Sequence, residues 1–332
     1  MYTDEDLENA VRRGIFSPES VETFRSDYLD HHNTHTADEE NFRLVGSFND
    51  IFVVIAVGLL LLSLGWVTYA INPSLSAAVV AFASWALAEF FVLKRKMALP
   101  AIALLVAFVG SVFAAAVSLF EFPGENALTL AGLAATMAAW LHWKRFKVPI
   151  TVAAGASALV VFVISLIVSV FPGFKDYLVY LLFLGGVAVF ALAMYWDASD
   201  LQRVSGKSDV AFWLHLASAP LIVHPVFTGL GIFEGNESAA GLVSIILLYL
   251  FLTFVSVVID RRAFMVSALI YVLVALTELL ENYGLAGDGF AYVGVLIGFS
   301  LLLLSGFWHK ARLLLVGYLP EKIKNKVPVA TQ

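Results

Sequence analysis

DVAFWLHLASAPLIVHPVFTGLGIF, residues 209–233, is long enough to cross a bilayer, yet it holds two histidines and two prolines in an otherwise apolar run. At 1.5 Å per residue, about 20 apolar residues match a hydrocarbon core of about 30 Å. The rest of the chain repeats this pattern around short polar interruptions. With 60% hydrophobic and 14% charged residues over 332 positions, it falls well outside soluble composition, in which about 25% of residues are charged. The sequence contains no cysteine, which excludes disulfides, thiolate metal sites and thiol catalysis.

Charge is unevenly distributed. Residues 1–50 carry twelve acids against four bases, while the remainder has fourteen acids and sixteen bases. An acidic head therefore precedes a mildly basic body. No short apolar run follows a basic start, so no signal peptide is expected. Within the head, Thr3 is placed to cap a helix opening with Asp4, Glu5 and Asp6, and Gly14 to end it. Ser17 then caps a second helix with Pro18 at its first position. Leu7, Val11, Val21 and Phe24 are spaced to meet across the turn, which predicts a helical hairpin. His31, His32 and His35 fall in the polar stretch LDHHNTHTADEENF, read as a solvated tether and not a metal site.

The expected fold is an all-α integral membrane protein with ten transmembrane helices, at about 51–71, 75–93, 99–120, 126–143, 148–171, 177–196, 209–232, 239–259, 263–281 and 289–308. The expected domains are residues 1–42 as an acidic cytosolic helical hairpin and linker, 43–308 as the transmembrane body, and 309–332 as a basic amphipathic tail along the membrane surface. With this count, nineteen of twenty Lys and Arg fall on one side, in the termini and the turns near 95, 145, 205 and 261; Lys175 alone lies opposite. The positive-inside rule makes that side the cytoplasm, with both termini there.

An offset of 49 brings Arg95-Lys96 onto Lys144-Arg145, Pro100 onto Pro149 and Phe122-Pro123-Gly124 onto Phe171-Pro172-Gly173. Five consecutive transmembrane hairpins are therefore expected. Two inverted five-helix halves remain the alternative, as in many transporters. Gly132, Ala135 and Ala139 in span four, with Ala154, Gly155 and Ala158 in span five, predict close helix contact. Asn236-Glu237-Ser238 fits the glycosylation pattern only weakly, and Gly206-Lys207-Ser208 fails as a phosphate loop because Leu201 replaces its first glycine.

Leu7–Glu19, LENAVRRGIFSPE, together with Phe48–Phe52 and Phe307–Arg312, resembles bacterial polytopic membrane proteins of unknown function that carry a short cytosolic N-terminal helical hairpin. That resemblance implies a bacterial inner-membrane protein and brings no catalytic, cofactor or metal residues with it.

Ionisable groups at membrane depth each require an account, since one costs about 2.5–3.5 kcal/mol at a helix centre on insertion scales. They are Glu89, His142, His215, His224, Glu278 and Glu281. His142 reads as an interfacial anchor, His215 as a packing or interfacial histidine, Glu281 as solvated, and Glu89 as snorkelling or paired with a basic turn. Nine residues at about 100° each place His215 and His224 on opposite faces of one helix, so they cannot ligate one metal. His224, flanked by Pro220 and Pro225 in backbone short of donors, matches Glu278 in depth. Two readings stay open there: a proton-exchanging pair, with Tyr271, Ser218, Thr228 and Thr277 nearby, or two independent groups near the outer interface. The functional expectation is a permease-like protein for a small solute, in its sharpest form proton-coupled through His224 and Glu278. The alternative is a non-enzymatic membrane scaffold or sensor whose head binds a cytosolic protein. An intramembrane enzyme ranks third, and no nucleic-acid, cofactor or metal motif is present.

Overall fold

The computed structural model describes residues 10–24, 48–120, 124–201, 205–230, 239–282, 289–324 and 326–329, with Leu7 and Arg203. The side chains of 239, 240, 242, 278–282, 289, 290 and 323 lie outside that description, as do Thr3, His31, His32, His35 and 236–238. The described residues are helical with no strand among them. Residues 1–42 cluster as one unit and the helices from Arg43 onward as another.

In the first unit, Gly14 adopts φ 69° just past a helix end. Its N–H donates to the Val11 carbonyl and that of Ile15 to the Ala10 carbonyl, both at 3.0 Å. This double closure needs a residue tolerant of left-handed backbone, which explains the glycine. Ser17 Oγ accepts from the Ser20 N–H at 3.1 Å and opens the helix at 18–24. Gly14 and Ser17 occupy the helix end and the helix start that the sequence assigns to them. Val21 is buried, whereas Phe24 is exposed.

The second unit contains ten long helices among its described residues: α1 Phe48–Tyr69, α2 Pro73–Ala88, α3 Ala98–Val117, α4 Glu125–Phe146, α5 Ile150–Val170, α6 Leu178–Ala198, α7 Gly206–Gly229, α8 Ala239–Ile259, α9 Ala263–Asn282 and α10 Gly289–Gly317. A π-helical turn, Glu89–Lys94, extends α2. Among the described residues, seven stretches are long and apolar enough to cross a membrane: Phe48–Tyr69, Pro73–Lys94, Ala98–Val117, Ile150–Val170, Pro172–Ala198, Gly206–Gly229 and Ala291–Gly317. The other three expected spans do not reach that standard over the residues described. In α8 and α9 the apolar parts described are shorter, Val243–Ile259 and Ala263–Thr277. In α4, Asn126, His142, Lys144 and Arg145 dilute a run rich in alanine. Apolar side chains such as Phe52, Leu62, Trp66, Phe82 and Leu302 are largely exposed, a surface suited to hydrocarbon.

Most helices that are neighbours in sequence pack together, α7 and α8 being the exception among the pairs with several contacts. The most extensive contacts are α4 with α5 and α6 with α7, and α7 also packs on α5 and α9. A Cβ at Gly132 would lie 2.7 Å from the Phe162 backbone nitrogen, so α4 and α5 meet where a glycine permits it. At Gly155 the added Cβ would meet Ala139 at 3.3 Å. These are small-residue contacts expected from the sequence. Gly186 allows the same approach of α6 to α7, where a Cβ would come within 2.8 Å of the Leu221 carbonyl carbon.

The four non-glycine residues with positive φ among the described residues are Lys96, Lys147, Arg203 and Asp260. Each lies in a turn joining an even-numbered helix to the next. Left-handed backbone costs a side-chain-bearing residue about 1 kcal/mol or more, so these turns are specified geometries. Lys96 and Lys147 are 51 residues apart, not 49. Pro100 sits inside the first turn of α3, whereas Pro149 is the N-cap of α5. The sequence offset thus aligns proline with proline but not one turn with the other, and Phe122-Pro123 lies outside the described residues. At the end of α10, residues 309–317 continue the helix.

Candidate functional site

The buried groups Asp197, Arg203, His215, Asp260, Arg261 and Arg312 gather at the end of the bundle that holds the basic turns. Asp197, on the last turn of α6, is 1% exposed. One carboxylate oxygen lies 2.8 Å from Nε2 of His215 on α7, the other 2.7 Å from an Arg261 Nη in the α8–α9 turn. The same Arg261 nitrogen donates to the Ser208 carbonyl at 3.1 Å. His215 is fully buried, with the Phe190 ring edge-on at 5.4 Å between centroids. Arg261 already balances the Asp197 charge. A neutral imidazole with its proton on Nε2 satisfies the carboxylate and leaves Nδ1 as a bare acceptor, with no hydrogen-bond partner among the described residues.

The residue before Arg261 has its own set of partners. Asp260, 3% exposed and left-handed at φ 61°, closes α8: its N–H donates to Val257 O and that of Arg261 to Ser256 O. This double closure turns the Asp260 side chain inward. One of its oxygens pairs with Arg203 Nη1 at 2.8 Å. The other accepts from Trp308 Nε1 at 2.9 Å and lies 3.3 Å from Arg312 Nε. Arg203 also donates to the Asp260 carbonyl at 3.1 Å. Burial, with repulsion from Arg261, pushes the Arg203 guanidinium below its ordinary pKa, while Asp260 and Asp197 act against that shift. In the α6–α7 turn, Asp200 accepts from the Ser205 N–H at 2.9 Å and its hydroxyl at 2.6 Å.

Burying this many charges is sustainable only because each has opposite charge and hydrogen bonds at contact distance. Of the cluster, sequence reasoning singled out His215 alone, as a packing or interfacial residue. The buried ring fits the packing reading, and the structure adds its hydrogen bond to Asp197 beside Arg261. The reading of His142 is corrected. That histidine is fully buried, with Nδ1 3.2 Å from Thr151 Oγ1 and a surround of Trp85, Phe108 and Phe146, and so is no interfacial anchor.

Glu89 makes a two-pronged contact with Arg145, at 2.8 and 2.7 Å, across α2 and α4. It is paired with a basic turn residue, as one sequence expectation held. His224 is exposed, opposite in phase to the buried His215, and Nδ1 lies 2.8 Å from the Tyr271 hydroxyl on α9. Tyr271 in turn stacks on Phe227. Pro220 is exposed and Pro225 buried, both inside one uninterrupted helix. The Glu278 and Glu281 side chains lie outside the described residues, as does any contact they make.

A groove of about 690 Å³ between α1, α2 and α3 is lined by Val54, Gly58, Leu61, Trp66, Ser76 and Ala103, among others, and does not include His224. The described residues hold no group of three or more metal-ligating side chains. No family model matches the chain, and neither a curated protein nor a solved structure matches it.

Proposed function

We propose that this chain is a bacterial inner-membrane protein whose ten helices all cross the bilayer, with the basic turns and both termini cytoplasmic. Its body serves as a non-enzymatic sensor or scaffold, and residues 1–42 contact a cytosolic protein partner. The observation that supports this reading is the closure of the charge cluster. Asp197, His215, Asp260, Arg261 and Arg312 are each no more than 5% exposed and are held by partners within the bundle. A conduction path needs ionisable groups that water and solute reach in turn; a closed network instead fixes helix ends relative to one another.

The second reading is movement of a small solute coupled to protons through His224, Tyr271 and Glu278. What favours it is His224 itself, an exposed imidazole hydrogen-bonded to Tyr271 beside Pro225. Purified protein in vesicles containing a pH-sensitive dye separates the two. The scaffold reading expects proton flux equal to that of empty vesicles, unchanged by His224→Gln, Tyr271→Phe or Glu278→Gln. A flux abolished by those substitutions overturns it in favour of the permease. Deleting residues 1–42 should leave insertion intact and remove cross-linking to the cytosolic partner.

A further inference from the structure

The buried charge cluster is tied to a short segment far from it in sequence. Arg312 on α10, 4% exposed, donates from Nη2 to the Pro328 carbonyl at 2.6 Å and from Nη1 to the Val329 carbonyl at 3.1 Å. The Val329 N–H donates to the Leu201 carbonyl in the α6–α7 turn at 3.3 Å. Val327 and Pro328 are buried. Because Leu201 and Arg203 share that turn, the contacts close a ring: Leu201 to Val329, Val329 to Arg312, Arg312 to Asp260, and Asp260 to Arg203. Four elements meet in it: the α6–α7 turn, the α8–α9 turn, α10 and the segment 327–329.

We propose that residues 327–329 are a releasable strap that sets the state of the buried ionic cluster. It is built to come and go. It is three residues long and donates one N–H to the helical body, that of Val329, while Val327 donates locally to Lys324; Pro328 holds φ near its bound value and biases Val327 toward extended backbone, so little order is lost on docking. Its departure has a defined consequence. Arg312 loses two acceptors, and a buried guanidinium with unmet N–H groups is costly, so it turns out to solvent and leaves Asp260. Asp260 then keeps Arg203 and Trp308 only. Since Asp260 and Arg261 are consecutive residues of one left-handed turn, loosening the first loosens the second, which holds Asp197 and Ser208. The strap thereby acts on the Asp197–His215 contact between α6 and α7 without touching either residue. This device stands whether the body scaffolds or conducts.

Amide hydrogen exchange on the full chain in lipid nanodiscs tests it, comparing the unaltered protein with Arg312→Gln, Val329→Pro and a chain stopped after Lys326. The amides of Asp260 and Arg261, bonded to Val257 and Ser256, should exchange about tenfold faster in the stopped chain and in Arg312→Gln. Val329→Pro removes only the N–H on Leu201 and should give a smaller acceleration in the same peptide. Because the chain has no cysteine, Ser208→Cys adds a single labelling site beside Arg261, and its maleimide reaction should accelerate in parallel. Acceleration confined to 312–326 and the α6–α7 turn, with 256–262 unchanged in the variants that fold, overturns the proposal.

Discussion

Replacing Arg261 with methionine keeps most of the side-chain length and removes the charge, leaving the Asp197 carboxylate 1% exposed with only His215 at contact distance. Deleting one partner of a buried pair costs about 3–5 kcal/mol, because the remaining charge stays desolvated. Ser208 loses its donor as well. At about 1.4 kcal/mol per tenfold, the folded-to-unfolded ratio should fall by roughly two to four orders of magnitude. Asp197→Asn should cost a similar amount, by stranding Arg261. The two together leave no net charge unpaired, and their joint cost drops to the hydrogen-bond scale of about 1–3 kcal/mol. Titrating each variant with SDS in mixed micelles and comparing unfolding midpoints measures this directly. The double variant should be more stable than either single one. If the single effects simply add, or if Arg261→Met alone unfolds within error of the parent, the ionic trio does not hold these helix ends together.

Four further outcomes follow from the geometry. Gly132→Leu forces the Phe162 backbone away and should cost about 1–3 kcal/mol by overpacking, whereas Gly58→Ala, with nothing within 4 Å of the new methyl, should fall within about 0.5 kcal/mol of the parent in the same titration. Glu89→Gln should leave the unfolding midpoint unchanged, because both partners of its ion pair with Arg145 are substantially solvent-exposed. Single cysteines replacing Lys96 or Lys147 should react with an impermeant maleimide only from the cytoplasmic face of oriented vesicles, and one replacing Lys175 only from the opposite face; the reverse pattern refutes the orientation. Asp260→Gly should destabilise even though it relieves a left-handed backbone, since Arg203, Trp308 and Arg312 all lose an acceptor; a gain in thermal stability would show that the backbone term dominates.

Much of this was legible from sequence because it rests on local periodicity. The 100° step places His215 and His224 on opposite faces, and the structure buries one and exposes the other. Gly132 and Ala139 announce the α4–α5 approach by their spacing alone. The cluster around Asp197 was not legible, and the reason is physical. In YWDASD the carboxylate follows an apolar run and precedes a turn, the usual place for a solvated acid, so the local sequence does not distinguish Asp197 from Asp200. Its partner Arg261 is 64 residues away and reads as one more topogenic base. Arg312 was hidden by a boundary: ending the last span at 308 placed it on a surface tail, whereas α10 runs to Gly317 and carries it inward.

The Asp260-Arg261 pair shows why such a cluster escapes a scan for motifs. Either residue alone is unremarkable at a helix end. What sets them apart is the left-handed turn, which sends two consecutive side chains of opposite charge in different directions, the acid toward Arg203, Trp308 and Arg312, the base toward Asp197 and Ser208. Glycine would make that turn more cheaply but could not terminate three donors. Asparagine would tolerate the backbone and offer one oxygen without charge. Aspartate combines tolerance of left-handed backbone, two acceptor oxygens and a negative charge to oppose Arg203 and Arg312. The requirement at 260 is therefore set jointly by backbone and electrostatics, and only the assembled bundle displays both.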